Sequence, residues 1–391
     1  MLDTRDRAAG VSARPPENNS RTRTRDPDAS LAGKGAMRSA EPLENFLYDA
    51  RFDASDPAAL GDVLRALIRR GYDRLPFAPL PGHGQTLERW RTLAAVAACD
   101  LGLVKLFEGH TDALAILAEL HGPTPLPGSR WGVWAAEPPD ARVRASKRAT
   151  HAETDDVGQL SLSGTKAWCS GADVVSHALV TAWLDDEPVL AAVAMDHASI
   201  SIDTSKWQAI GMQATASADV TFDQTPATRV GAAHAYVCRP GFWHGGAGIA
   251  ACWYGAATQI GRTLREASTQ RADAHRLAHL GAVDVALAAA AAVLRETAAH
   301  IDASPQADSQ REVMRARLVV EETATAVMCH ATRTLGAGPL CRDARFARAL
   351  ADLPVFLRQS HAERDLAALG ELTANATFDS NITAGGAPWT L

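Results

Sequence analysis

The chain lacks a positive field. Lys and Arg number 39 against 45 Asp and Glu, a net charge of -6, so the basic surface that nucleic-acid binding needs is missing and no nucleic acid is expected as a partner. It lacks a run of about 18 uninterrupted apolar residues, so no membrane insertion is expected, although the 47% hydrophobic content is ordinary for a chain with a sizeable core. Its six cysteines, Cys99, Cys169, Cys238, Cys252, Cys329 and Cys341, include no CxxC pair. The first residues hold no secretory hydrophobic region either, and reduced thiols in a cytoplasmic protein are the expectation.

What is present falls into blocks. Residues 1–40, with "RPPENNSRTRTRDPDAS", have almost no large apolar side chains, and burial cannot offset the entropy of ordering them, so a disordered tail is expected. Its acidic residues argue against an organelle transit peptide, and Met37 is an alternative initiator. Over 41–130 the apolar spacing is helical: "DPAALGDVLRALIRRGY" sets Leu60, Val63, Leu64 and Leu67 on one face. Over 131–235 short alternating runs such as "HALVTAWL", "PVLAAVAM" and "ADVTFDQ" are separated by Gly, Pro and Asp turns, as β-strands are. Over 236–371 the alanine-rich runs reach lengths only helices reach, and 372–391 reads as a C-terminal tail.

The expected fold is therefore α+β and multidomain: an N-terminal α-helical domain, a middle antiparallel β-barrel domain and a C-terminal four-helix bundle. This order has no βαβ alternation. "GGAGIAA" (245–251) and "LGAGP" (335–339) are accordingly helix-start and helix-stop glycines rather than a dinucleotide fingerprint.

Several stretches carry a more specific likeness. "GQLSLSGTKAWCSGADVVSHALVTA" (158–182) holds a Ser-Gly-Thr-Lys turn, a Trp, two residues, a Gly and an apolar strand; "WQAIGMQATASADVTFDQTPATRVG" (207–231) holds Gly and small hydroxyls ahead of an aromatic, an acid and a proline; "WGVWAAEPP" (131–139) and "RTLGAGPLCRDARFARALADL" (333–353) follow the same order. Together they resemble the acyl-CoA dehydrogenase family of flavoproteins over roughly 45–370. The resemblance implies FAD as cofactor, α,β-desaturation of an acyl-CoA-type thioester in fatty acid metabolism, an electron-transfer flavoprotein or other acceptor, and a homodimer or homotetramer. It also implies roles for particular residues. Trp168 packs beside the isoalloxazine ring, a planar, largely apolar body with a polar edge, and Ser170 addresses that edge. Thr215 and Ser217 lie beside the adenosine diphosphate, and Arg271, Arg333 and Gly336 serve the diphosphate. Without the surrounding pattern, Trp168 reads as a buried strand aromatic and Arg333 as a surface arginine.

The chain departs from the family at the base. The reaction needs a carboxylate to take the α-proton while hydride moves to the flavin. Counted from Arg342, the position of the usual glutamate falls on Ala351 and that of the following glycine on Asp352. A second location used in some members, near the start of the first long C-terminal helix, offers Gly245 and Gly246 and no acid. Asp352 is the remaining catalytic candidate, although one helical residue turns a side chain by about 100°; alternatively it caps or salt-bridges a helix end near Pro354. Arg358, His361 and Asp365 belong either to a solvated helix face or to the pocket's mouth. The acid-proline loop reads Ala136-Glu137-Pro138 and lacks the family's threonine. A flavin monooxygenase or oxidase on the same fold, which needs no α-proton base, and a catalytically silent thioester- or protein-binding relative are the rival readings.

Other signals lead elsewhere. His275 and His279 have a metal-ligand spacing without a third ligand, so an exposed helix explains them and no metal is expected. "SGTK" (163–166) has the wrong spacing for a phosphate loop. His110, on an apolar helix, reads as a buried, hydrogen-bonded histidine.

Overall fold

A computed structural model describes residues 41–148, 158–270 and 273–375, together with Trp389. Four helices come first: α1 (Leu43–Asp49), α2 (Pro57–Arg69), α3 (Thr86–Cys99) and α4 (Leu101–Glu119). The period read from the sequence places α2, with Leu60, Leu64 and Leu67 buried and Val63 part-buried. Asp56 caps α2 by accepting from Ala58, with Pro57 at its first position, where a missing N–H costs nothing. Asp100 caps α4 by accepting from Leu103 at 2.8 Å.

Seven strands follow: β1 (Trp131–Trp134), β2 (Val143–Lys147), β3 (Gln159–Cys169), β4 (His177–Leu184), β5 (Glu187–Ala194), β6 (Ile200–Asp203) and β7 (Ala218–Val230). The pairings β4–β2–β3–β7–β5–β4 close a ring, with β6 added on β7. Here the structure corrects the purely antiparallel expectation. β1 runs parallel to β4 from Trp131↔His177 to Trp134↔Val180, and β2 meets the same edge in parallel at Arg144↔Trp183. Two short strands thus share one edge of β4, a local junction that alternation of side chains does not encode.

The remaining helices are α5 (Ala235–Cys238), α6 (Gly241–Gln270), α7 (Ala274–Ala303), α8 (Gln310–Leu335), α9 (Ala337–Arg342), α10 (Ala344–Leu357) and α11 (Glu363–Ala374). Three are long and the last three are short: α6, α7 and α8 pack on one another, α10 packs on α6, α8 and α4, and α11 packs on α8. "GGAGIAA" lies inside α6 rather than at its start, a second correction. Its glycines, like Gly255 later in the helix, allow the neighbouring helices to come close: a Cβ at Gly255 would lie 2.2 Å from the carbonyl oxygen of Ala94 in α3.

One apolar core joins the two ends of the chain, with Leu64, Trp90 and Phe107 against Trp253, Val320 and Phe356. A second fills the barrel around Val143, Leu162, Val180 and Phe222. Each large side chain buried this way contributes roughly 1.5–3 kcal/mol. A third cluster, with Ile116 and Leu117 against Trp131, Leu179 and Val230, fixes α4 to the barrel.

Candidate functional site

The site begins at an irregularity in β3. Its register against β7 shifts between Leu162 and Gly164 and again between Lys166 and Cys169. Gly164, at φ +113°, makes the first shift possible: a Cβ there would lie 2.4 Å from the carbonyl oxygen of Arg142. Lys166 is fully buried, and its Nζ donates to Glu137 Oε1 at 2.9 Å and to Thr181 Oγ1 at 2.7 Å. Glu137 Oε2 accepts from Trp183 Nε1 at 2.8 Å. Burial pushes the Lys166 ammonium below its ordinary value while Glu137 opposes it. Burial raises Glu137 too, but the bonds from Trp183 and Lys166 outweigh that and hold it below the usual carboxylate range. The acid-proline loop is thus pinned to β3 through its glutamate, which is the role the structure gives Ala136-Glu137-Pro138.

Two residues past that pin, within the second register shift of β3, Trp168 adopts φ +58° and has 58% of its surface exposed. It is not the buried strand aromatic that an isolated pattern suggests. Beyond it runs a chain of hydroxyls. Ser170 Oγ lies 2.9 Å from Ser217 Oγ, which lies 3.0 Å from Thr215 Oγ1, and Thr215 Oγ1 donates to the Met212 carbonyl at 2.7 Å. Trp134 Nε1 donates to the Ser170 carbonyl at 3.2 Å, and Gly171 N–H donates to the Thr215 carbonyl at 2.8 Å. Thr215 and Ser217 are both buried, and their hydroxyls hold the 212–217 loop against β3. Met212 and Ala216 sit at φ +58° and +42°, conformations that cost a side-chain-bearing residue energy and persist where the surroundings enforce them.

Asp352 supplies part of that enforcement. Its buried carboxylate accepts the Met212 N–H at 2.5 Å, so α10 is tied to the same loop as Ser170. The helix-end alternative does not hold: Asp343 caps α10 and the helix continues through Pro354 to Leu357. Burial pushes the Asp352 carboxyl up to about 6, and the neighbouring Asp100 adds to the rise against the opposing pull of the Met212 bond and Arg348. Asp100 is likewise raised, chiefly by burial. Both acids, with Arg348, line a cavity of about 340 Å³ enclosed by the 47–54 segment, the end of α3, α6 at Ala256 and Gln259, and α10. A smaller cavity on the loop side, reaching Met212 and Ala214, shares the same three residues. Apolar Leu47, Phe52 and Leu101 complete the larger wall.

Of the described residues expected at the site, Asp352 alone lines these cavities; Trp168, Ser170, Thr215, Ser217, Arg333 and Gly336 do not. Arg333 is exposed in the last turn of α8, and Gly336 ends that helix at φ +66°. Arg271 lies outside the described residues. Arg358 pairs with Glu321 at 2.5 Å, and His361 Nδ1 lies 3.4 Å from Asp365; none of Arg358, His361 and Asp365 lines the cavity. His110 is buried as expected, 3.3 Å from Asp73 and accepting from Trp131 N–H. His279 faces His330 of α8 at 2.8 Å rather than His275, and no group of three metal-ligating side chains exists among the described residues. Asp100 and Arg348 escaped the sequence reading. Asp100 is legible there as a helix cap, but nothing local links it to a residue of α10.

No protein-family model matches the chain, and no curated protein matches its sequence. Solved structures match its fold. One is KijD3 in complex with FMN and a dTDP-linked amino-keto sugar, at 20% identity and a TM-score of 0.65, covering 82% of this chain and 87% of that one. Another is FMN-bound TdsC from Paenibacillus sp. A11-2, a dibenzothiophene monooxygenase, at 18% identity and a TM-score of 0.67, covering 83% and 98%. A third is the methanesulfinate monooxygenase MsuC from Pseudomonas fluorescens, at 17% identity and a TM-score of 0.65, covering 84% and 98%. At these identities the likeness is one of fold, helices around a β-barrel over nearly the full length of each neighbour.

Proposed function

We propose that the chain is a flavin-dependent oxidoreductase that takes a small organic molecule in the cavity beside Asp352 and oxygenates it. The observation that carries the reading is Trp168, an indole at a positive-φ position of β3 and more than half exposed, two residues before the hydroxyl chain that starts at Ser170, on a fold shared with the FMN-bound dibenzothiophene monooxygenase TdsC. An exposed aromatic face beside fixed donors fits a flavin ring. Trp168 would flank the ring, and Ser170 would face its polar edge. Held by Trp168 and Ser170, a reduced flavin would supply the two electrons that monooxygenation needs, one oxygen atom entering the substrate and the other leaving as water. The chain's part is to hold the ring against Trp168, to fix the 212–217 loop through Thr215, Ser217 and Asp352, and to enclose the substrate.

FMN is the preferred form of the cofactor. The hydroxyls of Thr215 and Ser217, expected beside an adenosine diphosphate, are engaged with each other and with the backbone. FAD rests on the diphosphate roles that the resemblance gives Arg271, Arg333 and Gly336, and of these Arg333 is exposed. The cavity, near the lower end of the roughly 300–1,000 Å³ typical of small-molecule sites, suits a compact substrate better than a long acyl chain.

One observation favours a second reading, the desaturation of an acyl-CoA-type thioester. Asp352 is a carboxylate in a cavity wall, raised to about 6, and such a group can take a proton near neutral pH. Anaerobic mixing separates the two. Purified protein reconstituted with FMN or FAD is expected to take up flavin, and its reduced form to be reoxidised rapidly by oxygen. Bleaching of the oxidised flavin by an acyl-CoA without oxygen would transfer the assignment to desaturation, and failure to take up either flavin would overturn both readings.

A further inference from the structure

Taking the cavity as the substrate site of the proposed function, its polar groups narrow the substrate class. Three arginines line it, and they are not equivalent. Arg51 donates to the carbonyls of Tyr48 and Ala50, at 2.5 and 3.2 Å. Arg345 donates to the carbonyl of Ala98 at 2.7 Å. Both hold backbone in place. Arg348 has no hydrogen bond or ion pair to any described residue, yet its charge is felt by Asp53, Asp100 and Asp352, and it lines both cavities.

The acids differ from it in this respect. Asp53 accepts from the N–H and hydroxyl of Ser55, Asp100 from Leu103 N–H, and Asp352 from Met212 N–H. Each has a structural task, capping a turn, capping a helix or tying α10 to the loop. None has folded back onto the guanidinium as an ion pair. The group left over is a planar donor fork on α10, at the junction of the two cavities. Such a fork matches a planar oxyanion with two parallel N–H···O bonds, stronger than neutral hydrogen bonds.

We infer that Arg348 is the anchor of the cavity and that its ligand is a compact organic carboxylate, held by the carboxylate at Arg348 with its apolar body toward Leu47, Phe52 and Leu101. Arg348 thereby sets specificity. It touches the ligand and performs no chemistry.

The test is calorimetric titration of the purified full chain, without added flavin, using three molecules of one shape: benzoate, benzamide and benzylamine. Benzoate is expected to bind tightest. Arg348→Gln is expected to weaken benzoate at least tenfold and to leave benzamide little changed. Arg348→Lys is expected to fall between, since an ammonium supplies charge without the fork. Unfolding midpoints of both variants check that the fold is retained, and a loss of benzoate binding by the Lys variant equal to that of the Gln variant would remove the fork geometry from the claim. Benzylamine binding tighter than benzoate would overturn the inference in favour of the acids as anchors, as would undiminished benzoate binding by Arg348→Gln or binding of none of the three. Flavin uptake is read separately by absorbance: uptake without benzoate binding overturns the anchor alone, and benzoate binding without uptake overturns the flavin reading alone.

Discussion

Asp352 is a carboxylate whose position costs the fold something. Burial lifts its value in the folded chain to about 6 from a usual 3.8, so ionising it is harder folded than unfolded. For a group raised in this way the stability contribution is full below the unfolded value and is lost as pH rises through the folded one. A gap of that size corresponds to about 3 kcal/mol. Asp352→Asn keeps an acceptor for the Met212 N–H and removes the charge. The variant is expected to exceed the parent in unfolding free energy by up to about 3 kcal/mol at pH 7.5 and to match it at about pH 3. Urea unfolding of both proteins at the two pH values reads this, and a difference that does not change with pH would show that burial is not acting on the group. The sequence named Asp352, Trp168, Ser170, Thr215 and Ser217 because local motifs mark them. It could not pair Asp352 with Met212, 140 positions away, nor identify Lys166 as the partner of Glu137. Such pairings depend on chain crossings that no local pattern records.

At the scale of elements, periodicity carried most of what was readable. Apolar spacing located α2, α4, α6 and α8, and alternation located β4, β5 and β7 but not the short β1 and β2, because burial on one face imposes both patterns. Element ends that depend on other elements were not readable. The start of α3 is an example, since the residue at its N-cap position, Gln85, provides no side-chain cap. Asp302, at the end of α7, does so instead: its carboxylate accepts from the N–H groups of Gly84 and Thr86 at 3.0 Å each, and from the Thr86 hydroxyl at 2.6 Å. A cap supplied across the structure ties α7 to α3 while satisfying donors that would otherwise go unpaired. Asp302→Ala is expected to cost about 1–2 kcal/mol of stability, and hydrogen exchange should quicken first at the opening turn of α3. Asp302→Asn is expected to recover part of the loss. Uniform exchange along α3 in the alanine variant would mean that the cap is not what holds this end. The glycines of "GGAGIAA" illustrate the same limit: they read as a helix start, whereas α6 begins four residues earlier, at Gly241.

At the scale of the whole molecule, α7 is the element whose sequence and surroundings disagree. By length and composition it is the one described helix able to cross a membrane, at a mean hydropathy of 2.0 over its most apolar window, yet only 17% of that window is buried. Asp284 interrupts it. Leu277 and Val285 are half and 69% exposed, and a Cβ at Gly281 would meet nothing within 4 Å. These three recur every fourth residue, which places them on one face, and Gly281 at its middle permits close approach by another helix. A face of this kind on a protein expected to be a homo-oligomer is proposed as the contact between two copies, since a two-fold axis across one helix buries the same stripe on both sides. Val285→Asp puts a charge at the middle of that stripe. It faces outward, so the fold of a single copy should be unaffected, while sedimentation should move from a dimer or larger assembly to a monomer across micromolar concentrations. A parent already monomeric at high concentration would reject the contact. Binding of the parent, but not of the variant, to phosphatidylcholine vesicles would assign the stripe to a lipid surface instead.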